Sequence, residues 1–149
     1  FSTVAELKVP YILMHMRGTP STMQSLTKYD NLLADIIADL AFKASTLTQM
    51  GVSDIIIDPG FGFSKDVEQN YELMAHLDEF HALGLPILVG ISRKSMIYKP
   101  LGITPADALA GTIALNTAAI MAGAHIIRVH DVASAVQARD VATFITNAY

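Results

Sequence analysis

Asp58, Lys94, Arg128 and His130 supply a carboxylate, an ammonium, a guanidinium and an imidazole in a chain where only 16% of residues are charged. Each closes a short apolar run, in Asp58-Pro59-Gly60-Phe61-Gly62-Phe63, Ser92-Arg93-Lys94-Ser95 and Arg128-Val129-His130-Asp131. Strand side chains alternate, so Gly90, Ser92 and Lys94 share a face of a regular strand, as do Arg128 and His130. If these faces converge, the carboxylate suits paired N–H donors, such as the guanidine-like edge of a heterocycle. Arg128 with His130 suits phosphate, because the guanidinium fork is bidentate and the imidazole donates or accepts a proton. Gly60 and Gly62 permit a tight loop close to a flat ligand, on which Phe61 and Phe63 could stack.

Plainer readings stand beside these. Asp-Pro-Gly is also a common turn, and Ser92-Arg93-Lys94 could be a solvated strand end. Arg128, between Ile127 and Val129, reads as buried and so as facing an anion or a carboxylate, with a structural pair to Asp131 or Asp58 as the alternative. His15 and His130 end strands, whereas His76 and His81 read as surface residues of a helix. His125 begins a strand at the opposite end, where residues serve stability. The five histidines lack a tight ligand spacing, so no metal cluster is expected in this chain. Met16, Met74 and Met121 read as core filler, and Met14 lies near the rim.

Four runs, at 11–16, 55–58, 87–91 and 126–130, read as strands buried on both faces. Helical spacing lies between and after them: Leu32, Leu33, Ile36, Ile37, Leu40, Leu47 and Met50; then Leu73, Met74, Leu77, Phe80 and Leu83; then Leu109, Ile113, Ile120 and Met121; then Val136, Val141, Phe144 and Ile145. Gly51, Gly84 and Gly123 close three helices ahead of strands. Ser21 or Thr22, Ser64 or Asp66, Thr104 with Pro105, and Ser134 are the candidate caps. The repeat is a βα unit of roughly 35–40 residues.

Residues 2–8 read as the tail of a helix with no strand ahead of it. A (β/α)8 barrel needs eight strands and about 250 residues. The expected fold is therefore α/β: the last four βα units of a (β/α)8 TIM barrel, spanning 1–149 as one partial domain whose first half is missing. Four parallel strands alone leave two bare edges. A complete four-strand open sheet is the alternative.

The chain is 149 residues long, 52% hydrophobic, with mean hydropathy +0.40, which excludes disorder. No run reaches a membrane span, 113–127 being broken by Asn116 and His125. No signal peptide is expected, and cysteine is absent, so a cytoplasmic setting is the default. A net charge of −4 argues against a nucleic-acid partner. Five of the ten Lys and Arg residues, Arg17, Lys65, Arg93, Lys94 and Arg128, fall at or just after strand ends. Acids lie mostly on helices, which points to an anionic small-molecule ligand at the cationic rim.

Taken in order, residues 58–65, 90–95 and 128–132 resemble the dihydropteroate synthase family, and Leu13-Met14-His15-Met16-Arg17-Gly18 looks like that family's fifth strand end. The resemblance runs along the whole chain and implies a (β/α)8 barrel. It implies condensation of 6-hydroxymethyl-7,8-dihydropterin pyrophosphate with p-aminobenzoate, giving 7,8-dihydropteroate and pyrophosphate in folate biosynthesis, at a sulfonamide target. By resemblance Asp58 holds the pterin N–H edge, and Lys94 bonds the pterin beside the aminobenzoate. Arg128 stacks on the pterin and meets phosphate, and His130 binds pyrophosphate. Lys94, Arg128 and His130 carry the catalytic roles. Phe63 with Gly62 packs near p-aminobenzoate, Ser95 receives its carboxylate at a helix N-terminus, and Met14, Ser92 and Arg93 line the pocket. The family's first half, absent here, supplies two mobile loops, the asparagine associated with Mg2+ and further pterin-binding Asp and Asn residues. The 149 residues alone are expected to be inactive, and a homodimer or a complement with the missing half is implied. A methyltetrahydrofolate-binding corrinoid methyltransferase barrel is the alternative, disfavoured by the phosphate-suited motifs. A non-catalytic, self-associating half-barrel is a further one.

Overall fold

Four short apolar segments build the strands of the computed structural model, which describes residues 1–148; the expected boundary at 149 lies outside the described residues. They are β1 Tyr11–Met14, β2 Ile55–Asp58, β3 Leu88–Val89 and β4 Ile126–Ile127. β1 and β2 pair in parallel from Tyr11 opposite Ile55 to Met14 opposite Asp58. β3 and β4 pair in parallel, Leu88 opposite Ile126. A bridge between Ile57 and Ile87 joins the two pairs. Spatial order thus follows chain order, with helices in every crossover, which is the wall of a partial (β/α)8 barrel.

The helices are α1 Ser2–Leu7, α2 Leu32–Gln49, α3 Val67–Ala75, α4 Ser95–Leu101, α5 Leu109–Met121 and α6 Val132–Thr146. Single 3-10 segments occupy Met23–Ser25, Leu77–Leu83 and Pro105–Asp107. Leu13, Ile57, Ile87, Val89 and Ile91 bury one sheet face against Ile36, Leu40 and Leu47 of α2, Leu73 of α3, and Leu77 and Phe80. Each such side chain contributes roughly 1.5–3 kcal/mol of burial. On the other face Ile12 remains 49% exposed and Ile126 38%. That face is the inner wall of the arc, uncovered among the described residues. No helix among them is long and apolar enough to cross a membrane.

Strand β2 matches its expected bounds, while the other three are shorter. The Arg128 N–H still donates to Val89 O at 2.9 Å, but no regular ladder continues past Val89 and Ile127, where Gly90 and Arg128 begin the turn into the rim. Some expected caps are corrected and others hold. Asn31 caps α2, accepting from the Ala34 N–H at 3.0 Å, whereas Thr22 precedes only Met23–Ser25. Asp66, one of the two expected candidates, does cap α3, in a reciprocal box with Gln69, and Thr104 with Pro105 opens the 3-10 segment Pro105–Asp107. Asp131 precedes α6, which leaves Ser134 inside its first turn. The expected third helical stretch is α5, and ahead of it lies the separate short helix α4, closed by Gly102 at φ 64°.

His81 is exposed, as expected, but it is also tethered. Its Nε2 lies 3.1 Å from Ala122 O, over Gly123, and its ring stands edge-on to His125 with centroids 5.8 Å apart. His125 Nδ1 accepts from the Ile87 N–H at 3.1 Å, which ties the two strand starts together as a stability role requires.

Candidate active site

The β2–α3 loop is held in shape before it holds anything else. Asp58 ends β2, and its Oδ1 accepts from the Gly60 N–H at 2.8 Å. Gly60 at φ 77° and Gly62 at φ 80° bend the chain back, closing a turn in which Phe63 N–H donates to Gly60 O at 3.0 Å. Asn70 on α3 accepts from the Gly62 N–H at 2.7 Å and donates to Asp66 O at 2.6 Å. Ser64 Oγ accepts from the Arg17 N–H and donates to Arg17 O, both at 2.9 Å, and Tyr29 O–H donates to Ser64 O at 2.8 Å. These contacts join the β1 rim to the β2 rim.

Lys94 reaches across to this loop from the end of β3. Its Nζ donates to Phe61 O at 2.6 Å and lies 4.7 Å from the centre of the Phe63 ring. A side chain at Gly62 would meet the Lys94 stem at 3.2 Å, so glycine there lets the lysine lie flat. Burial lowers the Lys94 pKa and the Asp58 charge opposes that shift. Burial raises the Asp58 pKa, with the Gly60 N–H and the charges of Lys94, Lys65 and Arg128 pulling the other way. Met14 lies opposite Asp58 in the strand register.

Beside Lys94 opens a cleft of about 110 Å³ lined by Gly90, Ser92, Lys94, Arg128, Val129 and His130. Gly90, Ser92 and Lys94 thus meet Arg128 and His130, the residues that period two puts on shared faces, although Val129 lines the cleft too and the regular ladder has already stopped. Ser92 Oγ lies 2.9 Å from His130 Nδ1 and accepts the His130 backbone N–H at 3.3 Å. In the tautomer in which the Ser92 hydroxyl donates to Nδ1, the His130 Nε2–H is free to meet an anion. Ser95 opens α4, next to Lys94. Asp58, Gly62, Phe63, Lys94, Ser92, Arg128 and His130 thus surround one continuous rim, with Met14 and Ser95 at its edges.

Arg93 is placed elsewhere. Its guanidinium forks onto Asp131 at 2.9 and 3.0 Å and donates to Pro105 O at 2.9 Å, while its backbone sits at φ 55°. The ion pair draws the Asp131 pKa down and the Arg93 pKa up. Arg93 latches the β3 and β4 loops together with its charge already matched. Other expectations change for similar reasons. Arg17 pairs with Asp35 at 3.2 Å and lies 3.8 Å over the Tyr29 ring. Lys65 is buried beneath the glycine loop, with Nζ donating to Gly60 O at 3.0 Å and Phe63 O at 2.9 Å. The cationic rim reduces to Lys94 and Arg128. Arg128 is exposed, not buried, because the inner wall beside it is uncovered, and it has no ion-pair partner among the described residues. Phe61 is fully buried in the core, so only Phe63 can face a ligand.

His15 is a buried brace. Its Nδ1 faces Lys65 Nζ at 3.1 Å, and burial followed by the Lys65 charge drives its pKa from 6.5 down to about 3. An unfolded chain takes up that proton between pH 6.5 and 3 while the native state does not, so stability falls as pH drops through this window. We expect about 2 kcal/mol to be lost between pH 7 and 5. His15→Gln, which keeps an acceptor that does not titrate, should flatten the slope, as read from urea midpoints of the full-length protein at the two pH values. An unchanged slope would refute the assignment. Asn70 and Ser64 went unread as loop supports. The signal for Asn70 is its spacing: three residues before Leu73 and seven before Leu77, it is an amide in an apolar stripe and needs a buried partner.

A sequential parallel arc with cations, a carboxylate and an imidazole at its carboxyl rim is part of a (β/α)8 barrel, and the chemistry of that rim suits a small anionic ligand carrying N–H donors. A family model described as "Pterin binding enzyme" matches residues 1–130. The chain belongs to the pterin-binding enzyme family. It is 46% identical over 139 residues to the dihydropteroate synthase of Escherichia coli K12, covering 92% of this chain and 49% of that protein. It is 44% identical over 144 residues to the Synechocystis enzyme of the same name, covering 95% and 50%. The Yersinia pestis dihydropteroate synthase, solved with a sulfonamide drug complex, superposes with a TM-score of 0.95 at 39% identity, over 98% of this chain and 54% of that one. The Thermus thermophilus enzyme in complex with 4-aminobenzoate superposes at 0.93 and 37% identity, over 97% and 60%. The chain spans about half the length of the curated relatives it matches.

Proposed function

We propose that this chain carries half of a dihydropteroate synthase site, and the observation that carries the reading is Lys94. It stands between a carboxylate edge at Asp58, the Phe63 ring, and the cleft of Arg128 and His130. A pterin pyrophosphate has three matching parts: an N–H edge, a flat ring and a dianionic leaving group. In this reading Asp58 accepts the pterin N–H donors and Lys94 bonds a ring heteroatom. Arg128 covers the ring and meets phosphate, and His130 donates Nε2–H to the departing pyrophosphate. Departure of pyrophosphate leaves a cationic methylene. The amine of p-aminobenzoate, held beside Phe63 with its carboxylate toward Ser95, attacks that carbon and loses a proton to give dihydropteroate. Position and charge stabilisation supply the rate enhancement.

Among the described residues no three His, Asp or Glu side chains gather to hold a metal. The family reading implies magnesium. We assign its contact, the remaining pterin donors and hence turnover to residues outside these 149. A cytoplasmic setting follows from the family reading alone. A homodimer is part of the same proposal, and exposed apolar residues of α6, Val141, Phe144 and Ile145, support it.

The test is conversion by the full-length protein of pterin pyrophosphate and p-aminobenzoate to dihydropteroate, with pyrophosphate released in equal amount. The isolated 149 residues should show none. A thermal shift with methyltetrahydrofolate but none with pterin pyrophosphate would overturn the reading in favour of a methyltransferase.

A further inference from the structure

Lys65 is a buried ammonium with no acidic partner in contact. It is 3% exposed, and no carboxylate lies within ion-pair distance of it among the described residues. Its three N–H donors meet three acceptors from two different rims: Gly60 O at 3.0 Å, Phe63 O at 2.9 Å and His15 Nδ1 at 3.1 Å. Burying a charge without a counter-ion is costly, and a leucine or methionine would fill the same space without that cost. The ammonium has a purpose other than packing.

The three acceptors show that purpose. Gly60 O and Phe63 O are the two ends of the turn that projects the Phe61 carbonyl onto Lys94 and the Phe63 ring beneath it. His15 is anchored in the β1–β2 pairing, its N–H donating to Asp58 O at 2.9 Å. Lys65 therefore fixes the turn to the strand that carries Asp58.

We propose that Lys65 is a positioning residue for the site: its ammonium pins the 60–63 turn to His15, and so sets where the Phe61 carbonyl and the Phe63 ring hold Lys94. The inference deepens the proposed function and rests on it for the ligand, though not for the turn geometry. Burial pushes the Lys65 pKa down to about 7, with Asp58 opposing and Lys94 and Arg17 adding to the shift. When Lys65 loses its proton, His15 can change tautomer and donate Nδ1–H to the free amine, so all three contacts survive. The pin then persists while its charge beside Asp58, Lys94 and Arg17 is lost.

The test uses the full-length protein with Lys65→Met and Lys65→Gln, the second keeping a donor in case the first fails to fold. Hydrogen exchange reads the turn without ligand. The Phe63 amide should exchange at least tenfold faster in either variant, with the amides of α2 unchanged. Calorimetry with 6-hydroxymethyl-7,8-dihydropterin pyrophosphate should show affinity at least tenfold weaker. In turnover, KM for p-aminobenzoate should rise more than kcat falls, because Phe63 and Lys94 are displaced together. Exchange spread evenly over all elements would make Lys65 a merely structural residue and overturn the proposal. Wild-type affinity in both variants would also overturn it. If the unsubstituted protein ignores the pterin probe, the functional reading fails, and the local exchange at Phe63 still decides the role of Lys65 in the turn.

Discussion

Asp58→Asn should weaken pterin binding by 100-fold or more and, at the same time, raise the thermal midpoint of the ligand-free protein. Both effects come from one carboxylate. An ionised Asp58 offers only acceptors, so two ring N–H donors can each find an oxygen in charge-assisted bonds. Asparagine keeps one oxygen and turns an amide N–H toward the other donor. Losing one such bond and leaving a donor unpaired costs about 3 kcal/mol, which is about a hundredfold in affinity. The stability change has the opposite sign. Burial raises the Asp58 pKa above its ordinary 3.8, so from that value up to the native pKa the folded state holds the proton more tightly than the unfolded chain. Stability from this group therefore falls as pH rises through the window. Asparagine removes the charge and can keep the contact from the Gly60 N–H. Calorimetry with pterin pyrophosphate and a melting curve of the free protein at pH 7 decide the matter. Affinity within tenfold of wild type, or a lower midpoint, would show that Asp58 is a structural turn residue. A site that opposes its own fold in this way marks function more firmly than a residue that supports both.

The fold was legible where local physics is sufficient. The Ile-rich run of β2 and glycine at 51, 84 and 123 gave the βα period, and each of those glycines has positive φ. Convergence of Ser92, Lys94, Arg128 and His130 followed from period two alone, and the cleft they line is there. What could not be read was partnership. Lys65 and Lys94 look alike in the sequence, two lysines just past strand ends, yet one is sealed beneath a loop and the other faces the cleft. The difference depends on two backbone carbonyls that only the turn creates. Arg93 and Arg128 differ in the same way, since Asp131 could have paired with either and the loop geometry gives it to Arg93. The starts of α2 and α6 failed for a related reason. Serine and threonine are frequent in this chain, and the residue that caps α2, Asn31, is distinguished only by its bond to Ala34.

Gly60→Ala should be the most destabilising single-methyl change in the loop, and its comparison with Gly51→Ala separates two causes. Both glycines have positive φ, 77° and 90°, so alanine at either costs about 1 kcal/mol of backbone strain. At Gly51 a methyl group meets nothing within 4 Å. At Gly60 it would stand 2.0 Å from His15 O. That oxygen is main chain at the end of β1, where the His15 N–H is already bonded to Asp58 O, so it cannot swing aside as a side chain would. Relieving the overlap must shift the β1 rim or the turn, at a further cost of about 1–3 kcal/mol. A shift of the turn also lengthens the Lys65 bond to Gly60 O. The expected loss is therefore about 3 kcal/mol at Gly60 against about 1 kcal/mol at Gly51, measured by urea denaturation of the full-length protein. Pterin affinity should fall with Gly60→Ala and stay unchanged with Gly51→Ala, because only the first displaces the turn that holds Lys94. Equal losses at the two positions would mean that the β1 rim yields freely and that the loop is not the rigid support on which Asp58 and Lys94 depend.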